Sequence, residues 1–352
     1  MNAQSIVTAR GLSAAEVPPG FLFAKLRGRR ARLYEGDRLR ALAESNGVGG
    51  LARRLFPGES VRDHFELELR LQARCVQELA FLARYVTGRQ RRFYIALLDR
   101  FRLENLKTLL RLYLRAGEAR PEEADLVELP EPFDLPRGRL MDSSTPREFI
   151  ERIPIGPARR CALEALPLYE ETGRKAWLEM ALDRGYWRQV GRTLGDLSGR
   201  DRRECSRPVV CEFDGTRLVA LLRAAKVYEL PWDRFGAVLP TGWGRLSVER
   251  MRELYENPEP EAGLRAAGRL LQGPPPALDP EDVERVAPLE EALWHETIDR
   301  AEKTFRGTMN GFAVLTAYFY LTHEELRHLL SLTQMLRRGR STREIMGYLS
   351  HV

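Results

Sequence analysis

Apolar residues recur at helical spacing along most of the chain. The clearest segments carry leucines at positions i, i+3 and i+4, a spacing that places them on one face of an α-helix. The alternation typical of strands is scarce, and residues 208–211 form the single short candidate that we find. The pattern therefore predicts an all-α protein.

Starts and interruptions of these helices are also readable. A hydroxyl residue followed three positions later by an acidic one is typical of a capping box, and such pairs are Ser60/Asp63, Thr145/Glu148, Thr322/Glu325 and Ser341/Glu344. Asp279-Pro280-Glu281-Asp282 predicts another start, with proline as the first helical residue. Prolines and glycines concentrate in three segments that we interpret as loops or linkers, residues 118–145, 231–247 and 257–280.

The leucine pattern occurs three times. Residues 104–111, 216–223 and 324–331 align without gaps, and their first shared leucines, Leu106, Leu218 and Leu326, are 112 and 108 residues apart. Similar Leu-Pro segments follow the first two copies. Elements in a fixed order at a nearly constant period predict three copies of one helical unit.

We place these units at residues 17–145, 146–256 and 257–352, after a flexible N-terminus at residues 1–16. The length of 352 residues agrees with two or three domains at ~100–200 residues each. The longest strongly apolar run, residues 311–321, is shorter than the ~17–25 residues of a membrane span. The four cysteines show no CxxC spacing, and we expect them to be reduced and buried.

Charge alone does not indicate a nucleic-acid partner. The net charge is +6, yet 50 acidic residues are distributed among 56 basic ones, so we interpret the arginines as a general background. The densest basic run, residues 25–32, contains Arg27 and Arg29. It predicts a solvated or partner-facing helix face, with anionic lipid and nucleic acid as the alternatives.

The histidines give little support to an enzyme. His323 and His328 are five residues apart, about 140° around a helix, whereas a zinc-protease helix carries its histidines at i and i+4. We expect solvated or cap-region histidines. His295 and Asp299 have the i, i+4 spacing, but without further ligands this favours a surface ion pair. The glycines of residues 47–50 lack the lysine of a phosphate-binding loop and predict a helix stop or turn. The sequence thus predicts no metal, cofactor or small-molecule substrate.

Arg111 and Arg223 occupy one position of the repeat, directly after two leucines. Such arginines could grip an acidic partner. We favour an internal ion pair with an acidic residue of the preceding helix, since a recurring position usually serves the fold.

These segments resemble the C subunit of archaeal and bacterial A/V-type rotary ATPases, which is called the d subunit in the eukaryotic vacuolar enzyme. The likeness is carried by Asn105-Leu106 and the Leu-Leu-Arg stretches of the first two copies, by Asp214, and by the opening and closing helices. Arg102, Arg217 and Ser331 depart from the family pattern. The residues that we single out as partner-interface or structural positions are Asn105, Arg111, Asp214, Arg223, Glu325, Arg27 and Arg29.

The resemblance implies three similar all-helical domains in a pseudo-threefold, funnel-like arrangement. It implies a non-catalytic adaptor that lies on the membrane proteolipid ring, holds the central axle made of the D and F subunits, and transmits torque. Such a protein is cytoplasmic and peripheral on the inner face of the membrane, without a nucleic-acid partner. Two other hypotheses stay open: a hydrolase that uses His295 or His323 with helix carboxylates, and a helical-repeat scaffold for protein or RNA partners.

Overall fold

Helices account for the regular structure of this chain. The computed structural model describes residues 20–115, 126–227, 230–257, 260–274 and 286–349, and these contain no strand. The all-α prediction is therefore confirmed. Residues 208–211, the strand candidate, lie inside a long helix, while the N-terminus at residues 1–16 and the predicted start at residues 279–282 lie outside the described part.

Sixteen α-helices are present within these ranges. They are α1 (Phe21–Arg30), α2 (Gly36–Ala43), α3 (Gly47–Leu55), α4 (His64–Leu82), α5 (Gly88–Tyr113), α6 (Arg137–Met141), α7 (Pro146–Glu151), α8 (Gly156–Thr172), α9 (Ala176–Gly195), α10 (Gly199–Val227), α11 (Trp232–Gly236), α12 (Val248–Glu256), α13 (Pro260–Gly268), α14 (Ala287–Gly307), α15 (Gly311–Arg337) and α16 (Thr342–Leu349). A short 3-10 helix, Ala83–Tyr85, lies between α4 and α5. The three longest, α5, α10 and α15, each contain one copy of the leucine pattern.

The leucine copies are core faces. Leu106, Leu218 and Leu326 are all buried, and each such side chain contributes about 1.5–3 kcal/mol relative to an exposed one. The long helices pack in pairs against other helices: α5 against α9, α10 against α14, and α15 against α4. In addition, α8 packs on α9 and α1 lies on α15. The four cysteines are buried and free, as expected.

Two of the four predicted capping boxes are correct. The backbone N–H of Glu148 donates to Thr145 at 3.2 Å and that of Glu344 donates to Ser341 at 3.3 Å. At the start of α4 the cap is Asp63, which accepts from the N–H of Glu66 at 2.9 Å, so the predicted box is displaced by three residues.

The remaining box, Thr322/Glu325, is wrong because it lies in the middle of α15. Apolar residues flank it on both sides and continue the helix through it.

The loop predictions were too broad. Each of the three segments contains a short helix, namely α6, α11 and α13. Residues 47–50 start a helix instead of ending one: α3 begins at Gly47, which takes a left-handed φ of +65°. In the described residues, no helix is both long enough and apolar enough to cross a membrane.

Candidate functional site at the centre of three long helices

The three long helices meet at a buried polar centre. The guanidinium of Arg100 on α5 donates to Oε1 of Glu212 on α10, and the hydroxyl of Tyr320 on α15 donates to Oε2 of the same carboxylate at 2.8 Å. These three residues are 112 and 108 residues apart, the same offsets as the repeated leucines. Equivalent points of the three copies therefore converge on one carboxylate.

The side chains of this centre are held by burial and by one another. Arg100 and Glu212 are only 14% and 8% exposed. Burial by itself would lower the pKa of Arg100, but the charge and hydrogen bond of Glu212, together with Tyr186 and Tyr320, outweigh this effect and raise the pKa above its ordinary value. Burial also raises the pKa of Tyr320 well above its usual range, so its hydroxyl stays protonated and remains a donor. The centre is thus a charged pair with a neutral phenol attached.

His323 lies one turn after Tyr320 and borders the same centre. Its Nδ1 is 3.1 Å from Nη1 of Arg100. Because arginine can only donate, this nitrogen is the acceptor. Burial, with the charges of Arg100 and Arg327, lowers the pKa of His323 well below its ordinary value, so the ring is neutral. The expectation of a solvated or cap-region histidine is wrong here, because His323 lies in the middle of α15 and is half-buried against Arg100.

A cavity of about 490 Å³ opens on the side of the centre toward the C-terminal ends of the long helices. Its wall is formed by α5, α10, α14 and α15, and the polar lining residues are Arg100, Glu212, Thr216, Arg223, Glu290, Glu291, Thr297, His323 and Arg327. Arg327 pairs with Glu291 at 3.0 Å across the wall. The cavity thus presents charges of both signs to whatever enters it.

Arg111 and Arg223 lie farther along their helices and both form ion pairs, as expected. Arg111 grips Glu179 in a bidentate manner, with N–O distances of 2.9 and 2.6 Å, and Arg223 pairs with Glu290. The partners lie on α9 and α14, which follow in the chain, and not on the preceding helices. The prediction of the preceding helix is wrong because α5 and α10 pack mainly against those later helices.

The side chains of Asn105 and Asp214 form hydrogen bonds with backbone groups of later loops. The side-chain amide of Asn105 donates to the carbonyl of Val127 at 2.7 Å and accepts from its N–H at 3.1 Å. Asp214 is fully buried, accepts from the N–H of Arg245 at 2.9 Å, and pairs with Arg217. Both side chains therefore attach a later loop to a long helix.

Glu325, Arg27 and Arg29 fasten the opening helix α1. Glu325 accepts from the N–H of Tyr34 at 2.7 Å, and burial raises the pKa of its carboxyl. Arg27 donates to the carbonyl of Phe305 at 2.9 Å, and Arg29 pairs with Glu78 of α4. All three contacts are within the chain.

The surface ion pair predicted between His295 and Asp299 is not formed. His295 lies 3.3 Å from Glu291 rather than pairing with Asp299, which is near Lys303. In the part of the chain that the structure describes, no three His, Cys, Asp or Glu side chains are grouped to hold a metal ion.

Fold and site together define an all-helical protein with a buried polar centre that joins the three longest of its described helices. More specifically, the chain belongs to the ATP synthase (C/AC39) subunit family, whose sequence model matches residues 22–348. The resemblance found in the sequence is therefore confirmed.

Two curated relatives agree with this family. The chain is 24% identical over 246 residues to the C subunit of the A-type ATP synthase of Methanobrevibacter smithii, a match that covers 67% of this chain and 62% of that protein. It is 22% identical over 240 residues to the corresponding C subunit of Methanosphaera stadtmanae, covering 66% and 61%. The matched region thus spans about three fifths of the length of these relatives.

Proposed function

We propose that the chain is a non-catalytic rotor adaptor of a V/A-type rotary ATPase. In this role it connects the membrane proteolipid ring to the central axle made of the D and F subunits, and passes rotation between them. It works on the cytoplasmic side as a peripheral component and hydrolyses no nucleotide itself. The observation that carries the proposal is the convergence of α5, α10 and α15 on Arg100, Glu212 and Tyr320, with the cavity beside them.

The order of helix packing supports a closed, pseudo-threefold arrangement of three units. Each long helix packs against a helix that follows it, α5 against α9 and α10 against α14, and α15 packs against α4 near the start of the chain. In this arrangement the last junction closes a ring. A closed ring suits torque transmission because a rotating partner loads three junctions together, and close-packed helices transmit strain without hinges.

The cavity is the proposed seat of the axle. Its mixed charges, among them Arg223, Glu290 and Arg327, suit a partner that must be held in one rotational register, since complementary charges fix register more than they add affinity. The wall is shared by four helices, so a side chain inserted there would contact several units at once.

Co-expression with the D and F proteins tests the proposal. We expect the tagged chain to copurify with both in a stable complex, and the double variant Arg223→Glu, Arg327→Glu to bind them at least ~10-fold more weakly. Arg53→Glu with Arg160→Glu is the matched control, because both side chains are exposed and lie outside the cavity lining.

A wild-type chain that stays monomeric in the presence of D and F would refute the adaptor role. Steeply salt-dependent RNA binding by the isolated chain would instead support the scaffold hypothesis.

A further inference from the structure

The three long helices start side by side at the end opposite the cavity. The side chains of Gln90 on α5 and Asn310 before α15 both donate to the carboxylate of Asp201 on α10, each at 2.8 Å. This layer is ten residues before the buried centre on α5, about 15 Å along the helix. The first turns of α5 and α10 and the turn before α15 therefore lie at one level.

This end carries a repeated arginine pattern. Gly-Arg-x-Arg-Arg occurs at residues 88–92 and again at residues 199–203. All six arginines are exposed. Arg200 is 3.3 Å from Glu204, but in the described part of the chain the other five form no ion pair; they are Arg89, Arg91, Arg92, Arg202 and Arg203. We call these six side chains the arginine end.

The position of these cations does not stabilise the helices to which they belong. Positive side chains at a helix N-terminus face the positive end of its dipole and disfavour the helix. The first turn of α5 contains no acidic residue to offset this effect. The first turn of α10 does contain an acidic residue, Asp201, but five of the six arginines in the repeated pattern have no ion pair within the described residues. An anionic partner outside the chain explains these five cations.

The surroundings of the arginine end narrow the class of partner. Met309, in the turn before α15, is 74% exposed. The nearby aromatic rings are already occupied by cations, since Nζ of Lys25 lies 5.2 Å from the ring of Tyr85 and the guanidinium of Arg84 lies 3.9 Å from that of Phe81. Single-stranded RNA would need free aromatic faces for stacking. Six cations at one level beside an exposed thioether fit a lipid surface, where arginine forks bind phosphates and an apolar tip inserts shallowly.

We propose that the arginine end binds the anionic phospholipid headgroups of a membrane surface. The role of the arginine end within the motor rests on the proposed function. In the assembled motor, the arginine end would be the end of the adaptor that faces the membrane. The lipid contact itself is a property of the chain alone and can be measured without the other components of the motor.

Cosedimentation of the full chain with vesicles tests the contact. We expect binding to phosphatidylcholine vesicles that contain about 30% phosphatidylglycerol and none to pure phosphatidylcholine, with a loss of binding between about 0.1 M and 1 M salt. The quadruple variant Arg91→Gln, Arg92→Gln, Arg202→Gln, Arg203→Gln should lower the partition coefficient by about 600-fold, at about fivefold for each of the four arginines. Its thermal unfolding midpoint should not fall, because the helix N-termini lose unfavourable charges.

A second quadruple variant provides the matched control. Its substitutions, Arg40→Gln, Arg53→Gln, Arg338→Gln and Arg343→Gln, remove the same charge from exposed positions on α2, α3 and α16 and at the end of α15. The control should keep most of the binding.

Absence of anionic-vesicle binding, or an equal loss in both quadruple variants, would overturn the proposal. Salt-dependent RNA binding with no vesicle binding would overturn it in favour of a nucleic-acid surface. Copurification of the arginine-end variant with D and F tests the lipid inference and the adaptor role separately. If lipid binding fails while the complex forms, only the lipid inference falls, and if the complex fails for the wild type, the adaptor role falls independently.

Discussion

The buried centre makes a prediction about stability that can be worked from its geometry. Replacing Glu212 by Gln preserves its size but leaves Arg100, which is 14% exposed, as a buried charge without a counter-ion. Removing one partner of a buried pair costs about 3–5 kcal/mol. We expect the lower value, about 3 kcal/mol, because the neutral glutamine still accepts a hydrogen bond from Tyr320.

Urea unfolding followed by circular dichroism measures this cost through the free energy of unfolding. Arg100→Met should lose a similar amount, because Glu212 would then be the unpaired charge. The double variant Arg100→Met, Glu212→Leu should recover most of it, since well-packed apolar side chains often replace a buried ion pair without loss. Glu256→Gln is the control: its pair with Arg252 is about half exposed, so its loss should leave the free energy of unfolding almost unchanged.

Losses below about 0.5 kcal/mol in both single variants, the upper end for pairs at the surface of a helix, would refute a stabilising buried ion pair. Additive losses in the double variant would also refute it, because additivity would mean that the two side chains do not interact. Either result would mean that the buried centre does not help to hold the three helices together.

Three further predictions address the surroundings of the centre. Asp214→Asn should lose about 3 kcal/mol in urea unfolding and speed proteolysis within residues 240–246, because this fully buried carboxylate anchors that loop. Gly191→Ala should cost about 1–3 kcal/mol and alter tryptophan fluorescence, since its new methyl group would overlap Trp243, whereas Gly195→Ala on the same helix meets open space and should cost nothing. His323 has a lowered pKa, so the unfolded chain takes up its proton below about pH 6.5 while the folded chain does not, and stability falls there by up to ~1.4 kcal/mol per pH unit. His323→Gln should flatten this acid limb, and an unchanged pH profile would show that the histidine is not buried neutral.

The sequence predicts the leucine register well because identical residues recur in it. The buried centre has the same register, six residues earlier in each copy, yet it escapes a search for repeated residues. Its members differ in kind, since an arginine, a glutamate and a tyrosine are complementary to one another rather than alike. The spacing of these residues could have revealed the centre in the sequence. The three polar residues Arg100, Glu212 and Tyr320 are 112 and 108 residues apart, as are the repeated leucines.

Burial is the property that sequence patterns conveyed least. Thr322 and Glu325 have capping-box spacing, and His323 lies among charged residues, but all three are inside α15, where Thr322 is buried and the other two are half-buried. A capping pattern also arises by chance within a helix, and only tertiary packing decides which side chains reach solvent. The ion-pair partners of Arg111 and Arg223 were missed for the same reason, because local periodicity does not show which helix a given helix packs against.

The contacts of α5 with α9, of α10 with α14 and of α15 with α4 are not equivalent. This difference accounts for the position of the opening helix, α1. Arg–Glu pairs with sequence separations of 68 and 67 residues bridge α5 to α9 and α10 to α14. At the α15–α4 junction Ser331 replaces the repeated arginine. The donors to carboxylates of α4 are the neutral side chains of Gln334, which donates to Glu68, and Tyr318, which donates to Glu78 at 3.3 Å.

The missing charge pair is offset by α1, which lies on α15 and reaches α4. Arg29 of α1 pairs with Glu78 of α4, while Glu325 of α15 holds the backbone just after α1. In the basic run that looked in sequence like a partner-facing surface, Arg29 therefore connects α1 to α4, and Arg27 and Arg30 contact Phe305 and Glu302 of α14. The arginines at the starts of α5 and α10 have no such internal role, and this contrast separates cations that hold the fold together from cations that remain available to a partner.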